Sequence, residues 1–178
     1  GNSGTNAITF DGSENMQPDW VWTKARNYND DHLLVDVVRG NTKYLKSHLT
    51  NAEQTSSIRV TSFNSNGFTL GSSSDINGNT DTYVAWAWKK TATAGFDIVS
   101  FTGNASARTI SHSLSAVPHM FLIKRLDQNS NWCVYHKGLN GADHNVFQNN
   151  TSAIQTDTAI WNNTHPTNSV FSLGNNAD

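Results

Sequence analysis

Apolar residues in this chain come in short runs, rich in β-branched and aromatic side chains and closed on both sides by Gly, Asn, Ser or Asp. That is the pattern of strands joined by turns. It predicts strands over residues 7–10, 19–25, 33–38, 43–46, 59–63, 67–70 and 82–89, then 96–102, 108–112, 119–125, 132–136, 145–148, 158–161 and 170–173. No window carries an apolar period of 3.6 residues, and residues 50–57 are the best helical stretch. Alternation assigns faces. Val84, Trp86 and Trp88 fall on one side of their strand, and Tyr83, Ala85 and Ala87 on the other. Trp20 and Trp22 point together, opposite Val21. The run Met120-Phe121-Leu122-Ile123 is apolar throughout, which predicts a central strand covered on both faces. Many short strands at regular turn spacing predict an all-β fold, an antiparallel β-sandwich or jelly roll.

The pattern also repeats, with a step of roughly a hundred residues, the length of a whole supersecondary assembly rather than of one solenoid turn. Pro18 to Lys24 returns as Pro118 to Lys124, Gly1-Asn2 as Gly103-Asn104, Thr50 as Thr151, and Phe68-Thr69-Leu70-Gly71 as Phe171-Ser172-Leu173-Gly174. Repeat one spans residues 1–90 and repeat two residues 91–178. The offset ends favour one larger two-sheet sandwich built by both repeats over two small ones. Repeat two reaches Asp178, the partner of Asp75, without a counterpart to the strand at 82–89. The expectation is a window on a longer polypeptide, or a strand supplied by the other repeat or a neighbouring chain.

Composition narrows the functional classes. Charged residues are 15% of the chain and the formal net charge is −2, with no basic stripe to follow a phosphate backbone, so nucleic acid is not an expected partner. Aromatic residues reach 10%, six of them Trp, enough for a packed core. One cysteine, Cys133, permits no internal disulfide and reads as a buried thiol. No apolar run is long enough for a membrane span.

Candidate chemistry is sparse. Asp75, Asn77, Asn79 and Asp81 alternate oxygen-bearing side chains, as a Ca²⁺ loop does, yet lack a distal Glu and flanking helices; a polar hairpin turn around Asn77-Gly78 is the favoured reading and Ca²⁺ the lesser one. Tyr28, Tyr44, Trp132 and Trp161 sit beside polar loops and are candidates for stacking on sugar rings. Trp20, Trp22, Trp86 and Trp88 lie in strong strand patterns and are expected in the core. The seven histidines show no metal spacing. Glu14 and Glu53 are the only glutamates and no acidic pair stands on one strand, so an enzyme is not expected.

Several phrases resemble a known repeat. These are Gln17 to Arg26, Val38-Arg39-Gly40 with Lys43-Tyr44-Leu45, Thr61-Ser62-Phe63 running to Gly71, and Tyr83 to Lys89. Repeat two carries Gly95-Phe96 to Asn104, Val134 to Leu139, and Trp161 to Phe171. Together they are similar to the lectin-like, concanavalin-like β-sandwich repeats of tailed-phage tail-fibre and other virion surface proteins. Thr23 departs from that pattern, which usually has an apolar residue there; Ile123 fits it. The resemblance implies a virion surface component that recognises the host; with the low charge and the polar, aromatic-bearing loops, the expectation is an extracellular adhesion module for a host-surface glycan, working with other virion chains as a homo-oligomer such as a trimer. It carries over no site residue. The alternatives are a purely structural module of the virion and a fragment of a polysaccharide depolymerase.

Overall fold

The computed structural model describes residues 1–176. It is all-β, with about 35% strand and about 4% helix, and its ladders are antiparallel. The chain divides into two compact units, Gly1–Lys90 and Thr91–Asp178. Asp178, aligned with Asp75 in the sequence, lies outside the described residues.

Unit 1 holds two sheets. One has the order β1 (Asn6–Thr9), β7 (Gly67–Leu70), β6 (Val60–Asn64). The other runs β5 (Gln54–Thr55), β4 (Lys43–Lys46), β3 (Leu33–Asp36), β2 (Trp20–Ala25), β8 (Tyr83–Trp88). Val21, Leu33, Val35 and Tyr44 from the five-stranded sheet meet Val60, Phe68 and Leu70 from the three-stranded one, so the core lies between the sheets. A single turn of helix, α1 (Ser74–Asn77), drops Ile76 into that core. β2 alternates strictly: Val21, Thr23 and Ala25 are buried, while Trp20, Trp22 and Lys24 point to the opposite side.

Unit 2 holds a four-stranded sheet, β10 (Met120–Lys124), β11 (Trp132–His136), β12 (His144–Phe147), β13 (Gln155–Thr156), and a two-stranded one, β14 (Val170–Leu173) with β9 (Arg108–Ser111). A 3-10 turn at Lys137–Leu139 follows β11, and the Gly138 N–H in it donates to the His136 imidazole. Cys133, Tyr135, Ile160 and Trp161 form the core, with Phe121, Ile123, Phe147 and Leu173 against it. Phe121 stacks on Tyr135 at 4.8 Å and meets Trp161 edge-on at 4.9 Å. Cys133 is a core thiol, 2% exposed.

Several expectations are corrected. Residues 50–57 contain β5 rather than a helix, because Gln54 and Thr55 pair with Tyr44 and Lys43. Among the described residues, 96–102 join no sheet, and their one bridge is Thr91 to Phe96. Residues 158–161 form turns that carry Ile160 and Trp161 inward. Met120–Ile123 is not central: β10 is a sheet edge, and Met120 and Leu122 are exposed. No helix among the described residues is long and apolar enough to cross a membrane.

Candidate functional site

The outward face of β2 and β8 carries four tryptophans. Alternation gives Trp20 and Trp22 one parity on β2, and Trp86 and Trp88 one parity on β8. The antiparallel register then sets Trp20 beside Trp88 and Trp22 beside Trp86. Ring centroids are 4.7 Å apart in the first pair and 5.5 Å in the second, with 5.9 Å between Trp20 and Trp22. The register continues across the sheet from Trp22 to Leu34 and on to Leu45, both buried, so the strip is anchored along one side. On the other side it meets solvent: Trp86 is 43% and Trp88 36% exposed. A tilted, partly exposed row of indoles with fixed spacing is a surface that covers flat apolar ligand faces at little entropic cost.

Polar groups continue from the same strip. The Trp22 Nε1–H donates to His32 Nδ1 at 3.2 Å, and the two rings lie 5.8 Å apart. His32 packs against His48 at 5.3 Å. His48 Nε2 lies 3.2 Å from the Asp31 carboxylate, which Lys46 also holds at 2.6 Å. Beside them opens a cleft of about 400 Å³ lined by Lys24, Asn29, Asp30, Asp31, His32 and His48. Burial, then the neighbouring His48 and Lys24, push the His32 pKa below its ordinary value. A neutral His32 keeps Nδ1 unprotonated, as its bond from Trp22 requires.

The chain matches the profile of a family described as a domain of unknown function, DUF7483, over residues 1–178. It belongs to that family. No curated protein and no solved structure matches it.

Within this DUF7483 domain the sequence-based site residues fall differently from expectation. Tyr44, Trp132 and Trp161 are corrections: they are buried at 7%, 6% and 1% exposure and have no face to offer a ligand. Tyr44 faces the core with the Arg59 guanidinium 4.1 Å above its ring, and Trp161 donates its Nε1–H to the His144 carbonyl at 3.1 Å. Tyr28 is at the surface, but its hydroxyl donates to the Ser74 carbonyl at 2.7 Å and its ring meets Tyr83 edge-on. Burial, then the Tyr83 hydroxyl, raise the Tyr28 pKa, in keeping with a hydroxyl committed to the fold. Conversely, Trp20, Trp22, Trp86 and Trp88 face away from the core that was expected to hold them. The missed signal is Lys24, which shares their parity on β2 and pulls that side toward water.

The four residues of the calcium reading have other partners in the fold. Asp75 forms an ion pair with Arg59 at 2.6 Å and accepts from the Ser73 hydroxyl. The Asn77 amide is fully buried and ties Asn2, Asn6, Gly4 and Gly71 together. The Asn79 backbone N–H bonds Ser3, and Asp81 accepts from Asn27. The four residues therefore fasten the N-terminal segment, Arg59 just before β6, and Asn27. Among the described residues no group of three His, Cys, Asp or Glu is placed to hold a metal ion.

Proposed function

We propose that this protein is a non-enzymatic adhesion module that binds glycan on the outward face of β2 and β8. The exposed tryptophan strip running into a polar cleft carries this reading. A pyranose ring has an apolar C–H face that lies against an indole, while its hydroxyls need fixed donors and acceptors close by. Trp86 and Trp88 supply the first; Asn29, Asp30, Asp31 and His48 supply the second. So shallow a site binds weakly alone, and strength would come from several copies acting at once. The non-enzymatic part is supported by the acids: Glu53 pairs with Arg39 and Lys43, and Asp36 with Arg39, whereas glycoside hydrolysis needs an acid held protonated beside a second carboxylate. The resemblance of the repeat phrases to tailed-phage surface proteins supports a virion setting and a host glycan as target.

We also read the two units as copies of one two-sheet sandwich. β1 pairs with β7 as β9 pairs with β14, and β2 to β5 adjoin in the order of β10 to β13. Gly71 N–H bonds the Arg59 carbonyl as Gly174 N–H bonds that of Ile160. β6 and β8 have no counterpart in the second unit among the described residues.

Titration of the whole chain with host-type polysaccharides and their oligosaccharides, followed by tryptophan emission and calorimetry, tests the reading. Saturable binding is expected, weakened at least about tenfold (about 1.4 kcal/mol) by the double substitution Trp86→Ala, Trp88→Ala. Absence of binding to every polysaccharide at millimolar sites, or binding indifferent to that substitution, would overturn it.

A further inference from the structure

The four-stranded sheet of unit 2 stops at β10. β10 pairs with β11 along its whole length, and no strand lies on its other side among the described residues. The His119 carbonyl accepts from Lys137 N–H at 2.8 Å, so the odd-numbered positions direct their backbone groups at β11. Antiparallel pairing alternates, and Met120, Leu122 and Lys124 therefore turn their N–H and C=O groups to the open side. Their side chains share one face, where Met120 is 52% and Leu122 41% exposed; Phe121 and Ile123 go inward. An open edge flanked by exposed apolar side chains is a template for another strand.

Unit 1 shows what such an edge takes. β2 follows Pro18 as β10 follows Pro118, so Trp20 and Trp22 stand where Met120 and Leu122 stand. There the edge is occupied: β8 pairs with β2 through six positions, and the Arg26 N–H to Thr82 carbonyl bond of 2.8 Å extends the ladder. Trp88 and Trp86 lie against Trp20 and Trp22. On its other face β8 places only small side chains beside these indoles, Ala85 exposed and Ala87 half-buried.

We propose that the open edge of β10 is a strand-acceptor site whose occupant is an antiparallel segment of β8 chemistry, supplied from outside the described residues. It sets bulky apolar side chains over Met120 and Leu122 and alanine-sized ones between. The inference rests on reading the two units as copies. Main-chain hydrogen bonds to Met120, Leu122 and Lys124 give affinity, and the alternate side chains give register and specificity.

The test uses the whole chain, isotope-labelled, and a synthetic peptide of residues 82–89 bearing extra C-terminal lysines for solubility. Saturable one-to-one binding is expected, with amide shifts and slowed hydrogen exchange at Met120, Leu122 and Lys124. N-methylation of the peptide's chain-facing amides should weaken binding at least tenfold, and so should Leu122→Lys, with the circular dichroism of the chain unchanged. If that variant fails to fold, the N-methylated peptide decides. No binding up to the peptide's solubility limit, equal binding of a scrambled peptide, or shifts at β2 instead of β10 would overturn the proposal. So would self-association through β10 that the peptide cannot displace, which would make the occupant a second copy. Glycan titration reads Trp86 and Trp88 in unit 1, so either reading can fail alone.

Discussion

Where an aromatic side chain points decides what its loss costs. Trp161 is enclosed by Phe121 and Tyr135, and Trp161→Ala should remove about 3–5 kcal/mol of stability in urea unfolding. Trp86 borders water, and Trp86→Ala should stay within about 1 kcal/mol while glycan binding falls. Asn145 makes the opposite case. It stands at the Tyr44 position of the repeat, 1% exposed, and both polar atoms of its amide lack a partner above a hollow of about 250 Å³. Asn145→Leu should therefore raise the unfolding free energy by about 1–2 kcal/mol, since an orphaned buried amide costs that order; an unchanged midpoint would refute this. His32 adds a pH dependence. Its pKa is lowered in the fold by burial, then by His48 and Lys24, with Asp31 pulling the other way. The unfolded chain takes up the proton more readily, so this contribution is complete above about pH 6.5 and is lost as the pH falls from there toward the lowered folded value. Denaturation midpoints should fall more steeply across that window for the natural chain than for His32→Asn.

At the level of elements, the glycines of the repeat are explained by backbone contact. A Cβ on Gly71 would lie 2.6 Å from the Ile58 carbonyl oxygen, and one on Gly174 would lie 1.7 Å from that of Ala159. β7 and β14 thus run so close to a neighbouring segment that no side chain fits. Gly71→Ala and Gly174→Ala should each cost several kcal/mol, about 2–4 by the scale of overpacked sites, measured by thermal unfolding of each variant. Period-two alternation made most strands legible in the sequence, because a strand's side-chain faces are a local property. Strand partners are not local. Residues 96–102 have ideal strand composition yet join no sheet among the described residues, and residues 54–55, with none, pair with β4. Alternation also showed that Trp20 and Trp22 share a face without saying which face is inward. Bulk argued for the core, but Val21, Thr23 and Ala25 fill the inner side and leave the indoles outside. Tyr44, Trp132 and Trp161 misled for the reverse reason: neighbouring polar loops fold away while the ring turns in.

For the molecule as a whole, two compact units with separate cores predict separate responses. Phe68→Ala should speed amide exchange in β1, β3, β6 and β7 and leave β11 and β12 protected; uniform loss across both units would contradict this. Low charge and an Asn-, Ser- and Thr-rich surface place little of the stability in long-range electrostatics, so moderate salt should move the midpoint hardly at all. The six tryptophans are also unevenly distributed. Four lie in van der Waals reach of one another on one sheet, and two are buried apart in unit 2. Indoles held that close and tilted share their excited states, so the ultraviolet circular dichroism should contain a paired positive and negative band from unit 1 alone. That couplet is a built-in optical gauge: it collapses toward the weak Trp20–Trp22 remainder when β8 peels from β2, because the two tightest indole pairs span those strands.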